Sequence, residues 1–431
     1  MSWEFGAAVT CIVITALLGL PIGHAMLASS VVYLLLAGQD MSIAFEQMLN
    51  GLYGSYVLLA IPLFIFAADL MNVGSLSDRL LDFCRALVGR FRGGLGHVNV
   101  TASLIFSGMS GSAIADAVGM GRIIINLMTK DGKYPPAYAG AITAASAIIG
   151  PIIPPSIPMV LFALVSDTSI GFLFLGGVVP GLILGVLLMV VNAWQARVHD
   201  YPVDEPVPAR ELPRITLRAV PALLMPVILL VGIYGGVTTP TEAAALAALY
   251  AFLVSTFFYR SVSLRTAYRA VRQSAKSTAS VGFLIAGALA FNYVVTVEQV
   301  PNVLRDALAG TDLGRLGFLL TVNVILLGLG CLLEANAILL VIVPIFLPTA
   351  VALGVDPVHF GVIVVVNTMI GLATPPYGLL LFVVTSITRS PIRQTIRYLL
   401  PFLAVLVAGL AIITFVPDVV LWLPRLYGYG G

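Results

Sequence analysis

The sequence has few charged residues: 10% of its 431 residues are Asp, Glu, Lys or Arg, whereas a soluble domain has about 25%. It has three cysteines, scattered through apolar segments, and four histidines, so it predicts neither a disulfide framework nor a metal centre. The net charge of +2 indicates no particular partner, and nucleic-acid binding is not expected. The N-terminus lacks a basic region and a small-residue cleavage site, which predicts a retained first helix.

Long apolar segments are abundant instead, since 59% of the residues are hydrophobic and the mean hydropathy is +1.04. Segments long enough to span a bilayer recur along the whole chain. They lie near 5–22, 25–38, 56–73, 97–129, 134–165, 170–196, 219–235, 240–259, 278–297, 316–352, 357–388 and 398–417. The sequence therefore predicts an all-helical membrane protein with many spans, for which the lipid bilayer is the solvent.

Two of these segments contain backbone-breaking motifs, "GPIIPPSIP" at 150–158 and "GLATPPYG" at 371–378. The two motifs are 221 residues apart, and at this offset five Gly or Pro positions of the first half match the second. The pairs are Pro136 with Pro357, Gly140 with Gly361, Gly150 with Gly371, Pro154 with Pro375 and Pro155 with Pro376. General enrichment of Gly and Pro in membrane helices is the alternative explanation, but it does not account for one shared offset.

The offset divides the chain into a first half (1–196), a linker (197–218) and a second half (219–431). Each half is expected to contain a re-entrant helical hairpin, at 97–129 and 316–352, followed by a broken helix, at 134–165 and 357–388. An amphipathic arm precedes each hairpin, at 77–94 and 298–315.

The basic residues indicate the orientation of these segments, because cytoplasmic loops carry an excess of Lys and Arg. If both hairpins return to their own side, all but four of the 22 basic residues are cytoplasmic, the exceptions being Arg122, Arg305, Arg315 and Arg425. This arrangement predicts ten spans, a cytoplasmic linker and two periplasmic termini. It also places the two arms on opposite sides, so the repeats are inverted.

Inverted repeats with broken helices are typical of secondary transporters. Irregular backbone at membrane depth is tolerated only where it is buried in protein or lines a cavity. The carbonyl groups released at such a break can hold a hard cation such as Na⁺, and the half-helix that follows can face an anion.

The expected hairpin tips carry polar residues that could complete such sites. The first tip reads "SGMSGSAIAD" (107–116), and the second reads "GLGCLLEANA" (328–337) with Glu334 and Asn336. Ionisable residues within membrane segments mark functional sites by default. The alternative is that the serines bond to their own helix and allow tight packing.

The "GMSG" motif at 108–111 also resembles the sequence around the serine of intramembrane rhomboid proteases. A serine nucleophile needs a histidine within hydrogen-bond reach. The four histidines lie near segment ends or in the linker, and a protease does not need the second break. The sequence therefore favours a transporter over an enzyme.

Five stretches together resemble one family, the large membrane subunit of tripartite ATP-independent periplasmic (TRAP) transporters. They are "SGSAIADAVGMG" (110–121), "GPIIPPSIPMVLFA" (150–163), "GGVTTPTEAAALAALYA" (235–251), "LLEANAILLVIVPIFLP" (332–348) and "GLATPPYGLLLF" (371–382). The resemblance covers nearly the whole chain. The chain departs from it at Met120-Gly121-Arg122 and "INLM", where the family often has a proline-methionine pair.

The resemblance implies a Na⁺-coupled elevator transporter in the bacterial inner membrane. A periplasmic binding protein would deliver a small organic acid such as a C4-dicarboxylate, sialic acid, a sugar acid or a 2-oxoacid. A small membrane subunit of the DctQ type would be a separate chain, because this sequence opens with its own first helix. The arms would link a mobile module (97–165 and 316–388) to a scaffold. The alternative is a divalent anion–Na⁺ symporter without a binding protein, a group that usually has Ser-Asn-Thr at its tips.

Two sets of candidate site residues follow from this resemblance. Those expected to ligate Na⁺ as the coupling ion are Ser107, Ser110, Ser112, Gly150, Pro154, Glu334, Asn336, Asn367, Gly371 and Thr374. Those expected to contact the substrate are Ser110, Gly111, Ser112, Pro155, Ser156, Asn336, Pro376 and Gly378. Arg122 is the one arginine within a hairpin that could hold a carboxylate.

Overall fold

The structure is a computed structural model that describes residues 2–73, 76–203, 207–309 and 314–431. Every regular element in these ranges is a helix, apart from an isolated antiparallel bridge between Arg92 and Val203. The all-helical membrane fold expected from the sequence is confirmed.

The described residues of the first half form eleven α-helices. They are α1 (Trp3–Leu17), α2 (Ile22–Leu36), α3 (Ser42–Gly54), α4 (Ala60–Val73), α5 (Leu76–Val88), α6 (Gly94–Ser110), α7 (Ala113–Asp116), α8 (Arg122–Thr129), α9 (Pro136–Ala147), α10 (Ile157–Ser166) and α11 (Ile170–Val198). Short 3₁₀ turns occupy Tyr56–Leu59 and Lys130–Gly132, and a π-helical turn occupies Ala117–Gly121.

In the described part of the second half there are ten α-helices. They are α12 (Leu212–Tyr234), α13 (Pro240–Leu253), α14 (Leu264–Val297), α15 (Val300–Ala309), α16 (Arg315–Gly330), α17 (Ala335–Ala352), α18 (Pro357–Ala373), α19 (Leu379–Thr388), α20 (Ile392–Phe415) and α21 (Asp418–Leu426). A π-helical turn at Val254–Phe258 extends α13.

The two halves follow the same succession of helices in register. Helix α16 begins 221 residues after α6 (315 − 94), and α18 begins 221 residues after α9 (357 − 136). Helices α6 to α8 form one hairpin, which we call hairpin 1, and α16 and α17 form hairpin 2. The stretch 148–156 between α9 and α10 is break 1, and the stretch 374–378 between α18 and α19 is break 2.

Helices α3 and α4 differ from their counterpart in the second half. Helices α3 and α4 bend by 71° at Ser55, whereas their counterpart α14 is one helix of 34 residues. Gly54 and Ser55 are weak helix formers and Pro62 removes a backbone donor. The matching positions in α14 are Ala275, Lys276 and Phe283, which permit a continuous helix.

Within the described residues, six helices are long and apolar enough to cross a membrane, or seven if the bent pair counts as one span. The prediction of ten spans counts each broken helix as one span and also counts α1 and α2. These two helices have 15 residues each, so each is about 22 Å long. This is shorter than the hydrocarbon core of a bilayer, which is about 30 Å thick. The number of spans stays a prediction.

The helices pack into two groups. The scaffold group consists of α1 to α4 and α12 to α14, in which α4 packs on α13 and α14, and α14 also packs on α2 and α3. The hairpin group consists of both hairpins, the broken helices α9–α10 and α18–α19, and also α11, α20 and α21. Helices α11 and α20 pack mainly on α6, α9, α18, α21 and each other, so the hairpin group is larger than the mobile module expected from the sequence.

Candidate functional site

The tip of hairpin 1 lies directly against break 1. The tip turns at Gly111, whose φ of 57° lies in the left-handed region that favours glycine. A Cβ added to Gly111 would lie 2.5 Å from the carbonyl oxygen of Pro155. The Ser112 hydroxyl then accepts the backbone N–H of Ala115 at 3.4 Å and so caps α7.

Break 1 is a buried stretch with free backbone acceptors. Its Pro154–Pro155 peptide is cis, and the Ser156 hydroxyl donates to the carbonyl of Pro151 and accepts the N–H of Met159 at 3.2 Å. The carbonyl oxygens of Gly150, Pro154 and Pro155 accept no hydrogen bond from the residues that the structure describes. Gly150 faces the tip, since an added Cβ would lie 3.7 Å from the Ser112 backbone. Break 1 and tip 1 therefore form one oxygen-rich unit.

Hairpin 2 meets the end of α18 in the same way, through glycines. A Cβ added to Gly371 would lie 2.5 Å from the Cα of Gly330, so the two backbones touch. The carbonyls of Gly371 and Thr374 each accept one N–H, from Thr374 at 3.0 Å and from Gly378 at 3.1 Å. The Thr374 hydroxyl donates to Ile370 at 2.8 Å. Gly371 and Thr374 thus have less free acceptor capacity than the corresponding residues of break 1.

Break 2 is also more open than break 1. Its Pro375–Pro376 peptide is cis, and Pro376 is exposed. Tyr377 beside it is 63% exposed, whereas Gly378 is buried against the carbonyls of Leu372 and Thr374. The two breaks are therefore alike in backbone path and unlike in their surroundings.

Buried polar side chains lie behind both tips. The amide nitrogen of Asn367 donates to the side-chain oxygen of Asn323 at 2.6 Å, and Asn323 in turn donates to the Thr414 hydroxyl at 3.0 Å. The side-chain oxygen of Asn367 is buried without a partner among the described residues. This oxygen is thus available to a cation.

A matching network in the first half joins α6 to α9. Asn99 donates to Thr143 at 2.6 Å, Ser103 donates to Ser146 at 3.1 Å, and Ser146 donates to the side-chain oxygen of Asn99 at 3.2 Å. Asn99, Ser103, Thr143 and Asn323 are not among the site residues predicted from the sequence. An asparagine inside an apolar segment was the available signal, since buried amides need partners.

A central cavity of about 180 Å³ lies where the two tips meet the scaffold group. Three lining residues come from α4 (Ile65, Ala68 and Asp69) and two from α14 (Ser277 and Val281). The hairpin group contributes Ser110, Gly111, Ser112, Ala113, Ile114, Ala115, Pro151, Ile157, Pro158, Glu334, Ala335, Asn336, Met369 and Leu372. The cavity therefore lies at the junction of the two helix groups.

Five of the predicted site residues line this cavity and the others do not. The five are Ser110, Gly111, Ser112, Glu334 and Asn336. Those that do not line it are Ser107, Gly150, Pro154, Pro155, Ser156, Asn367, Gly371, Thr374, Pro376 and Gly378. The cavity surface is thus shared by the two tips, whereas the predicted residues of the breaks lie outside its lining.

The second tip presents a paired carboxylate and amide. The amide nitrogen of Asn336 donates to Glu334 Oε1 at 2.6 Å. The side-chain oxygen of Asn336 is buried and has no partner in the described part of the chain. The pair therefore keeps acceptor oxygens at the edge of the cavity.

Two residues of hairpin 1 are fully enclosed. The Ser107 hydroxyl donates to the carbonyl of Leu104 at 2.6 Å, so it bonds to its own helix as the alternative interpretation expects. Asp116 is 1% exposed, and neither carboxylate oxygen accepts a hydrogen bond from the described residues. A buried carboxylate without partners is costly unless a proton or a cation neutralises it.

Arg122 does not reach the cavity, because it is exposed at the start of α8. No Lys, Arg or His is among the described residues that line the cavity. His97 lies in α6 thirteen residues before Ser110, which is about 20 Å along a helix. The cavity therefore does not bring Ser110 together with a histidine as a protease would require.

The comparisons with known proteins agree with this architecture. The family model described as "Tripartite ATP-independent periplasmic transporter, DctM component" matches residues 9–419. The chain is 41% identical to the sialic acid TRAP transporter large permease protein SiaM of Vibrio cholerae, over 96% of both chains. It is 41% identical to the C4-dicarboxylate TRAP transporter large permease protein DctM of Pseudomonas aeruginosa, over 86% of this chain and 87% of that protein.

One solved structure is similar in fold alone. The crystal structure of the YdaH transporter of Alcanivorax borkumensis, which is described as having an unusual topology, gives a TM-score of 0.60. The match covers 86% of this chain and 87% of that chain, at 16% sequence identity.

Proposed function

Because the chain belongs to the DctM component family of tripartite ATP-independent periplasmic transporters, we propose that it imports a small organic acid together with Na⁺. The chain is a multi-pass membrane protein of a bacterial transporter. In this proposal a periplasmic binding protein delivers the acid, and both termini of the chain are periplasmic.

The observation that carries the proposal is the pairing of each hairpin with a helix break around one cavity. Gly111 holds tip 1 on break 1, and Gly330 holds hairpin 2 on α18 at Gly371. Discontinuous helices near the bilayer midplane bind substrates and coupling ions in secondary transporters. One cavity with a broken helix on each side is therefore suited to bind an acid between two ion sites.

The first proposed Na⁺ site uses oxygen atoms of tip 1 and break 1. The hydroxyls of Ser110 and Ser112 line the cavity, and the carbonyls of Gly150, Pro154 and Pro155 have no hydrogen-bond donor in the described chain. Hard cations favour such oxygen ligands. Ser107 is a weaker candidate because its hydroxyl is directed to Leu104.

The second proposed Na⁺ site lies between tip 2 and break 2. It uses the free side-chain oxygens of Asn336 and Asn367, with Glu334 at the cavity edge. The carbonyls of Gly371 and Thr374 can contribute a second lone pair, since each accepts only one backbone N–H.

The substrate class proposed here is a small organic acid. Relatives with similar identity are named for different acids, namely sialic acid, C4-dicarboxylates and 2,3-diketo-L-gulonate, at 41%, 41% and 35% identity. Overall sequence identity therefore does not indicate which of these acids the chain carries. Without a lining Lys or Arg, the acid would be held by hydroxyls, amides and the bound cations.

A small membrane subunit is the second proposed partner. The isethionate permease DctMQ of Oleidesulfovibrio alaskensis is 37% identical to this chain, which matches only 58% of its length. A relative of this chain is thus joined to a further segment. We infer that a separate DctQ-like subunit takes that place here and extends the scaffold group.

Elevator motion fits the division into two helix groups. The hairpin group, including α11, α20 and α21, would move as one body past the scaffold group, with the arms as connections. In each half the hairpin packs on the broken helix that follows it, at Gly111 and at Gly330, and such a packed unit is easier to move whole than to open.

Sodium should stabilise the purified protein against heat, because a ligand bound only by the folded state adds stability. At a Na⁺ concentration one hundred times the dissociation constant, the unfolding free energy should rise by about 2.7 kcal/mol. The measurement is a thermal melt over a NaCl series, with KCl and choline chloride at equal ionic strength as controls. Equal stabilisation by K⁺ or choline would rule out both Na⁺ sites.

A further inference from the structure

The scaffold wall of the central cavity carries a carboxylate that the sequence reasoning did not single out. Asp69 belongs to α4 and lines the cavity together with Ser277 of α14. Its Oδ2 accepts the Ser274 hydroxyl of α14 at 2.7 Å. No other hydrogen bond to Asp69 comes from the described residues, so Oδ1 keeps its acceptor capacity.

The charges that face the cavity do not match a plain carboxylate solute. Asp69 lies on the scaffold wall and Glu334 on the hairpin wall, and no Lys, Arg or His lies among the described lining residues. Glu334 accepts the Asn336 amide at 2.6 Å and Asp69 accepts the Ser274 hydroxyl at 2.7 Å, so both carboxylates have neutral donors as partners. An acid bound beside Asp69 is repelled unless it offers that carboxylate a proton donor.

The hairpin wall has the opposite polarity at tip 1. The Ser110 hydroxyl accepts the N–H of Ser112 at 3.5 Å, and the Ser112 hydroxyl accepts the N–H of Ala115 at 3.4 Å. Each hydroxyl oxygen therefore acts as an acceptor towards its own backbone and keeps its proton to donate. The hairpin wall thus offers hydroxyl donors to a carboxylate, and the scaffold wall offers the Asp69 carboxylate as an acceptor. This arrangement suits a solute with a carboxylate at one end and a hydrogen-bond donor at the other.

We propose that Asp69 accepts a hydrogen bond from a hydroxyl or ammonium group of the carried acid and thereby selects hydroxy or amino acids over their unsubstituted parents. This inference rests on the proposed function and narrows its substrate class. Asp69 is half-buried at the cavity, and a bound acid covers it further. An acid without the donor then leaves this acceptor desolvated and unpaired, so the site disfavours it.

The test uses three sets of acids that differ only in the donor. They are propionate, lactate and alanine; succinate, malate and aspartate; and glutarate, 2-hydroxyglutarate and glutamate. Apparent dissociation constants are measured by thermal stabilisation of the full chain in lipid nanodiscs at saturating NaCl. In at least one set, a donor-bearing acid should bind at least about tenfold more tightly than its parent.

The variant Asp69→Asn should reduce this preference to less than about threefold. It should weaken the binding of the donor-bearing acid. Binding of the parent acid should be unchanged or tighter, because the variant lacks the negative charge that repels it. Asp69→Ala, which removes both acceptor oxygens, is the second variant and should behave in the same way. Retained stabilisation by Na⁺ shows that each variant is folded.

Ser274→Ala is the matched control, because it removes the hydrogen bond between α4 and α14 and keeps the carboxylate. It should preserve the preference for the donor-bearing acid. If Asp69→Asn instead weakens the binding of all acids equally, Asp69 has a structural role or ligates Na⁺, and the inference is overturned.

Two further outcomes separate this inference from the proposed function. If acids bind in Na⁺ but parents and donor-bearing acids bind equally, or if the preference survives Asp69→Asn, the inference fails and the proposed function stands. If no acid of the nine stabilises the wild-type chain, the inference fails, and the proposed function loses these short monocarboxylates and dicarboxylates as substrates.

Discussion

Replacing Gly111 by alanine should reduce uptake to background. Gly111 turns the tip of hairpin 1 with a φ of 57°, and a side chain in this region costs about 1–2 kcal/mol. Its added Cβ would also lie 2.5 Å from the Pro155 carbonyl oxygen, which is backbone and cannot turn aside. The tip must then move away from break 1, and the first Na⁺ site loses its geometry.

The matched control is Gly38→Ala. Gly38 has a similar φ of 65°, but an added Cβ would have nothing within 4 Å. This variant has the same backbone strain without the collision, so its uptake should stay within about twofold of wild type. Both variants are assayed for uptake in proteoliposomes and for stabilisation by Na⁺. Normal uptake by Gly111→Ala would show that contact between tip and break is not required.

A disulfide between the two helix groups should stop uptake and leave Na⁺ binding intact. Gly171 lies in the first turn of α11 in the hairpin group, and Ile233 lies in the last turn of α12 in the scaffold group. A Cβ added to Gly171 would lie 3.7 Å from Ile233 Cγ2, so the two positions face each other and cysteines there are the pair chosen for an oxidative cross-link. The pair is placed in a chain whose Cys11, Cys84 and Cys331 have been replaced.

Oxidation should reduce uptake to background, because the hairpin group can no longer pass the scaffold. Reduction should restore it, and each single-cysteine variant should be insensitive to the oxidant. Stabilisation by Na⁺ should survive oxidation, since both proposed sites lie within the hairpin group. Uptake at the normal rate by the cross-linked protein would contradict elevator motion. Opening and closing of the hairpin tips would then be the remaining mechanism.

The helix succession was predictable because Gly and Pro positions repeat at one offset. The helix breaks at Pro154–Pro155 and Pro375–Pro376 are expected because the proline ring fixes φ and proline has no backbone N–H to donate. The return limb of hairpin 1 was less predictable. It departs from the family at Met120-Gly121-Arg122, and the structure has a π-helical turn at Ala117–Gly121 there.

The contents of the cavity wall were only partly predictable. Ser110, Ser112, Glu334 and Asn336 could be selected because polar residues at a hairpin tip stand out in an apolar chain. Asp69 could not, because its helix α4 belongs to the scaffold group and its place at the cavity depends on packing between distant segments. The inclusion of α11 and α20 in the hairpin group also depends on packing, since continuous apolar helices carry no signal of which neighbours they join.

The difference between the two breaks likewise required the structure. Both motifs have the same pair of prolines, yet Pro155 is buried and Pro376 is exposed. Break 1 is covered by α11, where a Cβ added to Gly177 would lie 2.2 Å from the carbonyl oxygen of Ile152. Sequence symmetry predicts the matching backbone path, but it does not predict which neighbouring helices cover each copy.

The central claim is that transport is coupled to Na⁺ through the two units of tip and break. Its most direct test is uptake of a radiolabelled acid into proteoliposomes that contain the chain and its small subunit, with the cognate binding protein added outside. An inward Na⁺ gradient should drive accumulation, and replacement of Na⁺ by K⁺ or omission of the binding protein should reduce uptake to background. Equal accumulation in K⁺ without any Na⁺ would contradict the account.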